Sequence, residues 1–491
     1  MSAPNPPILG GTGLDNLYIL YLKNLKINIM KNEKINYACP SGFPEFLPGE
    51  KRLELDLMEK IRTVFEKYGF TPIETPAVER LEVLQAKGNQ GDNIIYGLQP
   101  ILPPNRQIEK DLARSEQSGE ERALKFDQTV PLAAYIARHL NDLNFPFARY
   151  QMDMVFRGER AKDGRYRQFR QCDIDVVGRG KLSLLYDAQI PAIIAEIFTA
   201  INIGDFLIRI NNRKILTGFF QALGLASEQT IACIRIIDMA EKIGKAKVKQ
   251  ALIDTGLNSD QVDQVLDFMN IKGNCQDVIS KLKSLADNLS HDHEVLNTGI
   301  SELATVINGV ENLGVDSQYY TIDLSIARGL DYYTGTVYET TLIGHEALGS
   351  ICSGGRYEEL VGMFIGEKLP GVGISIGLTR LMSRLLKAGI LTKLSATPAQ
   401  VMVVNMQEDL MPVYLKVSQM LRNAGINVIT NFDAKNVGKQ LQQADKLKIP
   451  FCVIIGNDEA IAQQCQLKNL LTGEQILLGW DDLANTIRGL M

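Results

Sequence analysis

The stretch that most limits what this chain can fold into is Phe147–Val177, in which two alternating segments flank a charged loop punctuated by Gly158 and Gly164. That pattern predicts a long antiparallel hairpin. In the first arm Tyr150, Met152, Met154 and Phe156 share one face, and Arg149, Gln151, Asp153 and Arg157 share the other. In the second arm Cys172, Ile174 and Val176 make the apolar side, with Arg165, Arg167, Gln171, Asp173 and Asp175 opposite them. One face is therefore core and the other a polar platform that carries arginines beside carboxylates. Five arginines (Arg157, Arg160, Arg165, Arg167 and Arg170) crowd this segment. A solvated hairpin laced with ion pairs accounts for most segments of this kind. Arginines along both arms and the loop also suit a polyphosphate or a nucleic-acid backbone, because the guanidinium fork binds phosphate bidentately and stays charged.

With 491 residues the chain needs two or three domains. A net charge of −5 removes any argument for nucleic-acid binding from bulk charge, so such contacts have to come from local basic patches. The seven cysteines are odd in number and scattered, with no Cys-x-x-Cys pair, which favours reduced thiols in a cytoplasmic protein over disulfides or a zinc site. His291 and His293 sit in a polar stretch with no third ligand nearby, so no metal site is expected from them. Residues 1–38 read as an N-terminal extension, Pro- and Gly-rich at first and then weakly apolar. They lack the unbroken apolar run of a signal peptide or membrane span. Met30-Lys31-Asn32-Glu33 reads as an alternative start; N-terminal sequencing that finds Met1 or Ser2 would exclude it.

Along the chain, Leu53–Tyr68 carries a helical stripe closed by Gly69, and Phe70–Val78 reads as a strand. Ala123–Pro131 is a strand leading into a helix over Val130–Leu140, with Asp127 and Thr129 on one face and capping as their ordinary role. Helices follow over 182–203 and 213–223, with a strand at Phe206–Asn211 between them. The segment 226–314 is almost wholly helical and holds no recognisable chemistry. Strand patterns return after Tyr332, where Gly329 and Gly335 would let the backbone approach a ligand. Gly371–Leu381 runs a small-residue strand into a helix. After a linker at Ser395–Pro398, strands at Gln400–Asn405, Asn427–Thr430 and Phe451–Ile455 alternate with helices Leu410–Ala424 and Lys435–Leu447. That alternation predicts a small α/β domain with parallel pairing.

The wording of these segments carries a resemblance. Phe156-Arg157-Gly158-Glu159-Arg160, a short loop and Gly164-Arg165-Tyr166-Arg167-Gln168-Phe169-Arg170-Gln171 resemble motif 2 of class II aminoacyl-tRNA synthetases in its histidyl-tRNA synthetase form. Helix 53–68 with Pro76 resembles motif 1, and Gly371–Leu381 with Arg380 resembles motif 3. Asp127-Gln128-Thr129-Val130-Pro131 is similar to the element that receives the substrate α-amino group, with Gln128 replacing the commoner Leu or Gly and pointing away. Ala327-Arg328-Gly329-Leu330-Asp331-Tyr332-Tyr333 and Ser353-Gly354-Gly355-Arg356-Tyr357 resemble the two motifs peculiar to histidyl-tRNA synthetases.

The resemblance, which covers the chain from about Cys39 onward, implies an α+β catalytic domain over 39–395. That domain would be built on an antiparallel sheet with flanking helices, with a helical insertion at about 226–314. An α/β anticodon-binding domain would follow over 398–491, where Lys435, Lys439, Gln443 and Lys446 offer a basic helix face. It implies ATP and Mg²⁺, L-histidine, tRNA(His) and a homodimer in the cytoplasm, with no membrane. Arg157, Arg328 and Arg380 would be catalytic, and Arg157, Glu159, Arg165, Tyr166 and Arg380 would hold ATP. Asp127, Thr129, Gln171, Asp175, Tyr332, Tyr333 and Tyr357 would bind histidine. Arg160, Lys162 and Gly164 would meet the tRNA acceptor end, and no metal would be held by protein alone. Asp175 departs from the Glu of many bacterial relatives, which moves the acceptor by about one methylene. A catalytically silent paralogue acting as a regulatory subunit in histidine biosynthesis is the alternative; such paralogues usually lack the anticodon domain and erode the Arg-Gly-Leu-Asp-Tyr-Tyr motif.

Overall fold

Helix α1, Pro48–Lys67, begins where Pro48 needs no hydrogen-bond partner for a missing N–H and Glu50 accepts from the Leu47 N–H at 3.1 Å. Its buried stripe is Leu53, Leu57, Ile61, Val64 and Phe65. Gly69, at φ +82, ends it in a left-handed conformation that a side chain would resist. These coordinates come from a computed structural model that describes residues 35–86, 94–99, 121–160, 164–289, 293–326, 333–359, 361–433 and 436–491. The expected extension lies almost wholly outside them.

After α1 come β1 (Thr71–Pro72), β2 (Val78–Arg80), α2 (Leu81–Gln85), β3 (Gly97–Leu98), β4 (Arg122–Leu124) and α3 (Thr129–Arg138). The single strand expected over Phe70–Val78 is thus two short pieces. Pro72 and Pro76 cannot donate to a ladder, so pairing stops after two residues in β1 and resumes in β2. The hairpin is β5 (Phe147–Phe156) and β6 (Gln168–Val177), paired without a shift from Phe147↔Val177 to Phe156↔Gln168.

Next in order are α4 (Leu185–Ile201), β7 (Phe206–Asn212), α5 (Arg213–Ala222), α6 (Ser227–Ile243), α7 (Lys245–Asp254), α8 (Ser259–Met269), α9 (Cys275–Asp287) and α10 (Glu294–Asn312). Then follow β8 (Tyr320–Ile322), β9 (Tyr333–Leu342), β10 (Cys352–Tyr357), α11 (Gly362–Ile365), β11 (Gly371–Ile376) and α12 (Leu378–Lys387). The central sheet has the order β1-β5-β6-β11-β10-β9-β7-β8. It is antiparallel throughout its middle and parallel at both edges, where β1 meets β5 and β8 meets β7. Helices α1, α4, α5 and α10 and the apolar side of the sheet share one core. Helix α10 is embedded in that core: a Cβ at Gly218 would lie 2.3 Å from the Leu296 nitrogen, and one at Gly299 would lie 2.7 Å from the Ile215 nitrogen. Only glycine allows α5 and α10 so close.

The C-terminal part holds β12 (Val401–Val403), α13 (Met411–Asn423), β13 (Val428–Thr430), α14 (Val437–Lys446), β14 (Phe451–Ile454), α15 (Asn457–Ala462), β15 (Gln464–Asn469), β16 (Gln475–Gly479) and α16 (Trp480–Leu490). Strands β13, β12 and β14 pair in parallel as expected, while β15 and β16 add antiparallel strands at one edge, so the sheet is mixed. Arg52 of α1 donates to the carbonyls of Ser395 and Thr397 at 2.6 and 2.7 Å, fastening the linker to α1.

Candidate active site

A cavity of about 480 Å³ opens on the polar face of the hairpin. Its walls come from β6, from the loop between β5 and β6, from the first residue of β9, from β10 and β11, and from the N-terminal ends of α3 and α12. The platform inferred from alternation is therefore not a solvated surface. Arg149 is 0% exposed, Gln151 2% and Asp175 3%; Gln171, Asp173 and Asp175 of this face line the cavity, while Arg149 and Gln151 are buried outside its lining. Taking charged side chains out of water requires partners, and the buried part of this face finds them. Lys125 Nζ donates to Asp153 at 2.5 Å and to the Thr75 carbonyl at 2.9 Å.

One group of lining residues is cationic. Arg157 lies between two rings, its guanidinium carbon 4.5 Å from the Phe126 centroid and 5.1 Å from that of Phe169. Arg380 donates to the Leu348 carbonyl at 3.4 Å, and among the described residues its buried Nε has no partner. Burial, together with Arg384, Arg165 and Arg157 close by, lowers its pKa to about 10. Guanidinium groups gathered this closely on one part of a cavity wall suit a polyanion. Tyr166 is anchored by its hydroxyl to Ser383 Oγ at 2.9 Å. Gly164, at φ +73, lies so close to Arg384 that a Cβ there would stand 2.7 Å from its Nε. Of the five hairpin arginines, Arg157, Arg160 and Arg165 line the cavity. Arg167 donates to the Glu159 carbonyl at 3.0 Å, and Arg170 reaches the Met152 carbonyl at 3.0 Å. Those two are structural.

The second group is acidic. Asp175 accepts from Arg149 and, at 3.0 Å, from the Tyr357 hydroxyl. Burial raises its pKa to about 6 against the pull of Arg149. Burial likewise raises Asp173 to about 7, with Asp175 and Asp127 adding to the rise and Arg149 and Ser375 opposing it. Asp127 Oδ1 accepts from the Val130 N–H at 3.0 Å, and Gln171 Nε2 donates to Ser375 Oγ at 2.5 Å. Opposite Asp175 stands Gly373, where a Cβ would be 2.3 Å from Asp175 Oδ1. Glycine here keeps the carboxylate's place open.

Among the sequence candidates, Arg157, Glu159, Arg160, Gly164, Arg165, Tyr166, Arg380, Asp127, Thr129, Gln171, Asp175 and Tyr333 line this one cavity. Tyr357 does not. It is 1% exposed and stands behind Asp175, which it orients. Gly335 also differs from expectation, since a Cβ there would meet Arg356 Cδ at 2.9 Å, and it serves a side chain rather than a ligand. Gln128 points away from the cavity as read, but it is buried and ties α3 to the hairpin through the carbonyls of Asp153 and Gln171 at 3.1 and 3.2 Å. Arg328, Tyr332 and Lys162 lie outside the described residues. Sequence reading left four residues without a role: Arg149, Asp173, Ser375 and Arg384. Two had a readable signal, for Asp173 shares its strand face with Gln171 and Asp175, and Arg384 is one helical turn beyond Arg380. Among the described residues no group of three or more His, Cys, Asp or Glu side chains is gathered as a metal site.

Comparison with known proteins agrees with this geometry. The family model described as histidyl-tRNA synthetase matches residues 104–381, and the model described as anticodon binding domain matches 400–490. A histidine–tRNA ligase of Nostoc sp. PCC 7120 is 71% identical over 458 residues, 93% of this chain and 99% of that protein. One from Clostridium tetani is 42% identical, covering 94% of this chain and 100% of its own length. The crystal structure of histidyl-tRNA synthetase from Nostoc sp. PCC 7120 superimposes with a TM-score of 0.86 at 67% identity, covering 93% of this chain and 100% of that one. A cavity with arginines gathered on one part of its wall and carboxylates on another, in a chain matched over nearly its whole length, leads to one conclusion: the chain belongs to the histidyl-tRNA synthetase family.

Proposed function

We infer that this cavity is where the chain ligates histidine to tRNA(His): L-histidine is activated with ATP to histidyl-adenylate, and the histidyl group then passes to the terminal ribose of the tRNA. The observation that carries the reading is the meeting, in one buried cavity, of clustered arginines with a hydrogen-bonded carboxylate pocket. Activation is attack of the substrate carboxylate on the α-phosphorus of ATP with expulsion of pyrophosphate. Two anions have to approach in line, so the protein's task is charge neutralisation and positioning rather than supply of a nucleophile.

Arg157 and Arg380 take the ATP phosphates, with Arg384 beside them. Arg165 and Tyr166 frame the nucleotide, and Arg328, by resemblance, bridges substrate carboxylate and α-phosphate. Asp175, held by Arg149 and Tyr357, accepts an imidazole N–H, with Tyr333 and Tyr332 at the ring. Asp127, Thr129 and Gln171 serve the α-amino group. Mg²⁺ would be held chiefly by the phosphate oxygens and water, with Glu159 of the cavity lining as a carboxylate available to it, and it would neutralise charge on the leaving pyrophosphate. Arg160, Lys162 and Gly164 face the acceptor end, where phosphate contacts make affinity salt-dependent. Lys439, Gln443 and Lys446 form one exposed face of α14 for the tRNA. A homodimer in the cytoplasm completes the reading. No described helix is long and apolar enough to cross a membrane. The regulatory-paralogue alternative gains no support: the region matching the anticodon-binding model is present, and the cavity keeps its arginines.

The test is charging of tRNA(His) with labelled histidine by the purified chain. The wild type should form histidyl-tRNA, and Arg157→Ala should lose about 10²–10³-fold in rate through loss of one preorganised charge clamp. A folded wild-type chain that charges nothing would overturn the reading.

A further inference from the structure

Strand β9 is irregular beside the cavity. It pairs with β10 in unbroken register from Thr340↔Cys352 to Val337↔Gly355, and the next pair is Tyr333↔Tyr357. Thr334, Gly335 and Thr336 therefore stand against Arg356 alone. A bulge of this kind re-aims the side chains beyond it. Unbroken register would set Gly335 opposite Tyr357 and leave Tyr333 two residues, about 7 Å, further along the strand. The bulge instead brings Tyr333 level with Tyr357, whose hydroxyl donates to Asp175. Tyr333 then lines the cavity with its ring over Gly355, where a Cβ would stand 3.0 Å from the Tyr333 Cδ1.

What fixes the bulge lies outside the cavity lining. Arg356 is 4% exposed, and Asp187, in the first turn of α4, is 0% exposed. Arg356 Nε reaches the two Asp187 carboxylate oxygens at 3.0 and 3.2 Å, and its Nη2 donates to Oδ2 at 2.8 Å. The same Nη2 donates to the carbonyls of Leu182 and Ser183 at 3.1 and 3.2 Å. The stem of Arg356 runs against the bulge, its Cδ 2.9 Å from where a Cβ on Gly335 would lie. On the regular side of the shift, the Tyr338 hydroxyl donates to the Asp187 carbonyl at 2.8 Å. Asp187 thus fastens β9 and β10 at the point where their register changes. A buried ion pair is a poor source of net stability, because desolvation offsets its attraction, whereas a bidentate fork supplies fixed geometry.

We propose that the Arg356–Asp187 pair is a positioning device for the substrate ring: it holds the bulge that sets Tyr333 beside Tyr357, and so shapes the imidazole pocket from outside the cavity. The assignment deepens the histidine-activating reading and rests on it. Neither member of the pair lines the cavity, so both act through Tyr333.

Two replacements test it. Arg356→Lys keeps a charge beside Asp187 and loses the fork, whereas Arg356→Met combined with Asp187→Leu removes the pair without leaving a buried charge unpaired. Each is compared with wild type in histidine-dependent ATP–pyrophosphate exchange, alone and combined with Tyr333→Ala. A replacement that retains the wild-type circular dichroism should lower kcat/KM for histidine about 10–100-fold, the scale for a misplaced positioning group, and leave the ATP KM within about twofold. Combined with Tyr333→Ala, the same replacement should cost less than about threefold more, because the group it positions is gone. An unchanged kcat/KM for histidine, an equal rise in the ATP KM, or losses that multiply in the Tyr333→Ala background would overturn the assignment. Loss of the fold in both replacements would overturn it as well, since the pair would then be scaffold. No histidine-dependent exchange in the wild type would overturn the site reading itself, together with this inference.

Discussion

Replacing Asp173 by Asn should stabilise the fold. Burial raises this carboxyl from 3.8 to about 7 in the folded chain, against the attraction of Arg149. In the unfolded chain it ionises near its ordinary value. Between those two pH values folding takes up a proton, so stability falls as pH rises through the window and the full penalty is present above about pH 7. A rise of about three pKa units corresponds to about 4 kcal/mol at pH 8. At pH 5, little more than one unit above the unfolded value, the same penalty is about 2 kcal/mol. Asn is nearly isosteric and uncharged, so the variant should gain roughly those amounts over wild type at the two pH values. Urea unfolding followed by circular dichroism reads the catalytic part. The fluorescence of Trp480, the single tryptophan, reads the C-terminal part separately and should not change. A variant no more stable than wild type at pH 8, or a gain equal at both pH values, would refute the reasoning.

Other substitutions test the same cavity from other sides. Arg149→Met removes the cation that compensates buried Asp175, and chemical denaturation should show a loss of about 3–5 kcal/mol near neutral pH. Arg384→Ala should raise the ATP KM about 10–100-fold in pyrophosphate exchange and leave the histidine KM nearly unchanged, since its neighbours are Arg380 and the motif 2 loop. Gly373→Ala would put a methyl 2.2 Å from the Ile174 carbonyl and 2.3 Å from Asp175 Oδ1, so histidine binding measured by calorimetry should be lost, with about 1–3 kcal/mol of stability.

Much of this was legible in the residues because the information was local. The hairpin announces itself through strict alternation in both arms, and the pairing follows it from end to end. The parallel core of the C-terminal sheet follows from strands alternating with helices, whereas β15 and β16 lie outside the expected strands although Cys465 and Leu467 alternate with Gln464, Gln466 and Lys468. What alternation does not disclose is what covers a face. A polar strand face reads as solvent-exposed until β10, β11 and two helix ends close over it, which buries Arg149 and makes Asp173 part of the cavity wall. Partners distant in the chain are equally silent: nothing near Asp175 says that Tyr357, 182 positions on, donates to it. The strand expected at Phe70–Val78 failed for a local reason that was available, since Pro72 and Pro76 each remove a ladder donor.

The central claim is that this one cavity activates histidine by clamping phosphate with arginines and reading the imidazole with buried Asp175. ATP–pyrophosphate exchange with each of the twenty amino acids in turn tests it most directly. The account predicts exchange with histidine alone, abolished in Arg380→Ala and in Arg328→Ala while the fold persists. Exchange driven by another amino acid, or none from folded protein with any of the twenty, would contradict it.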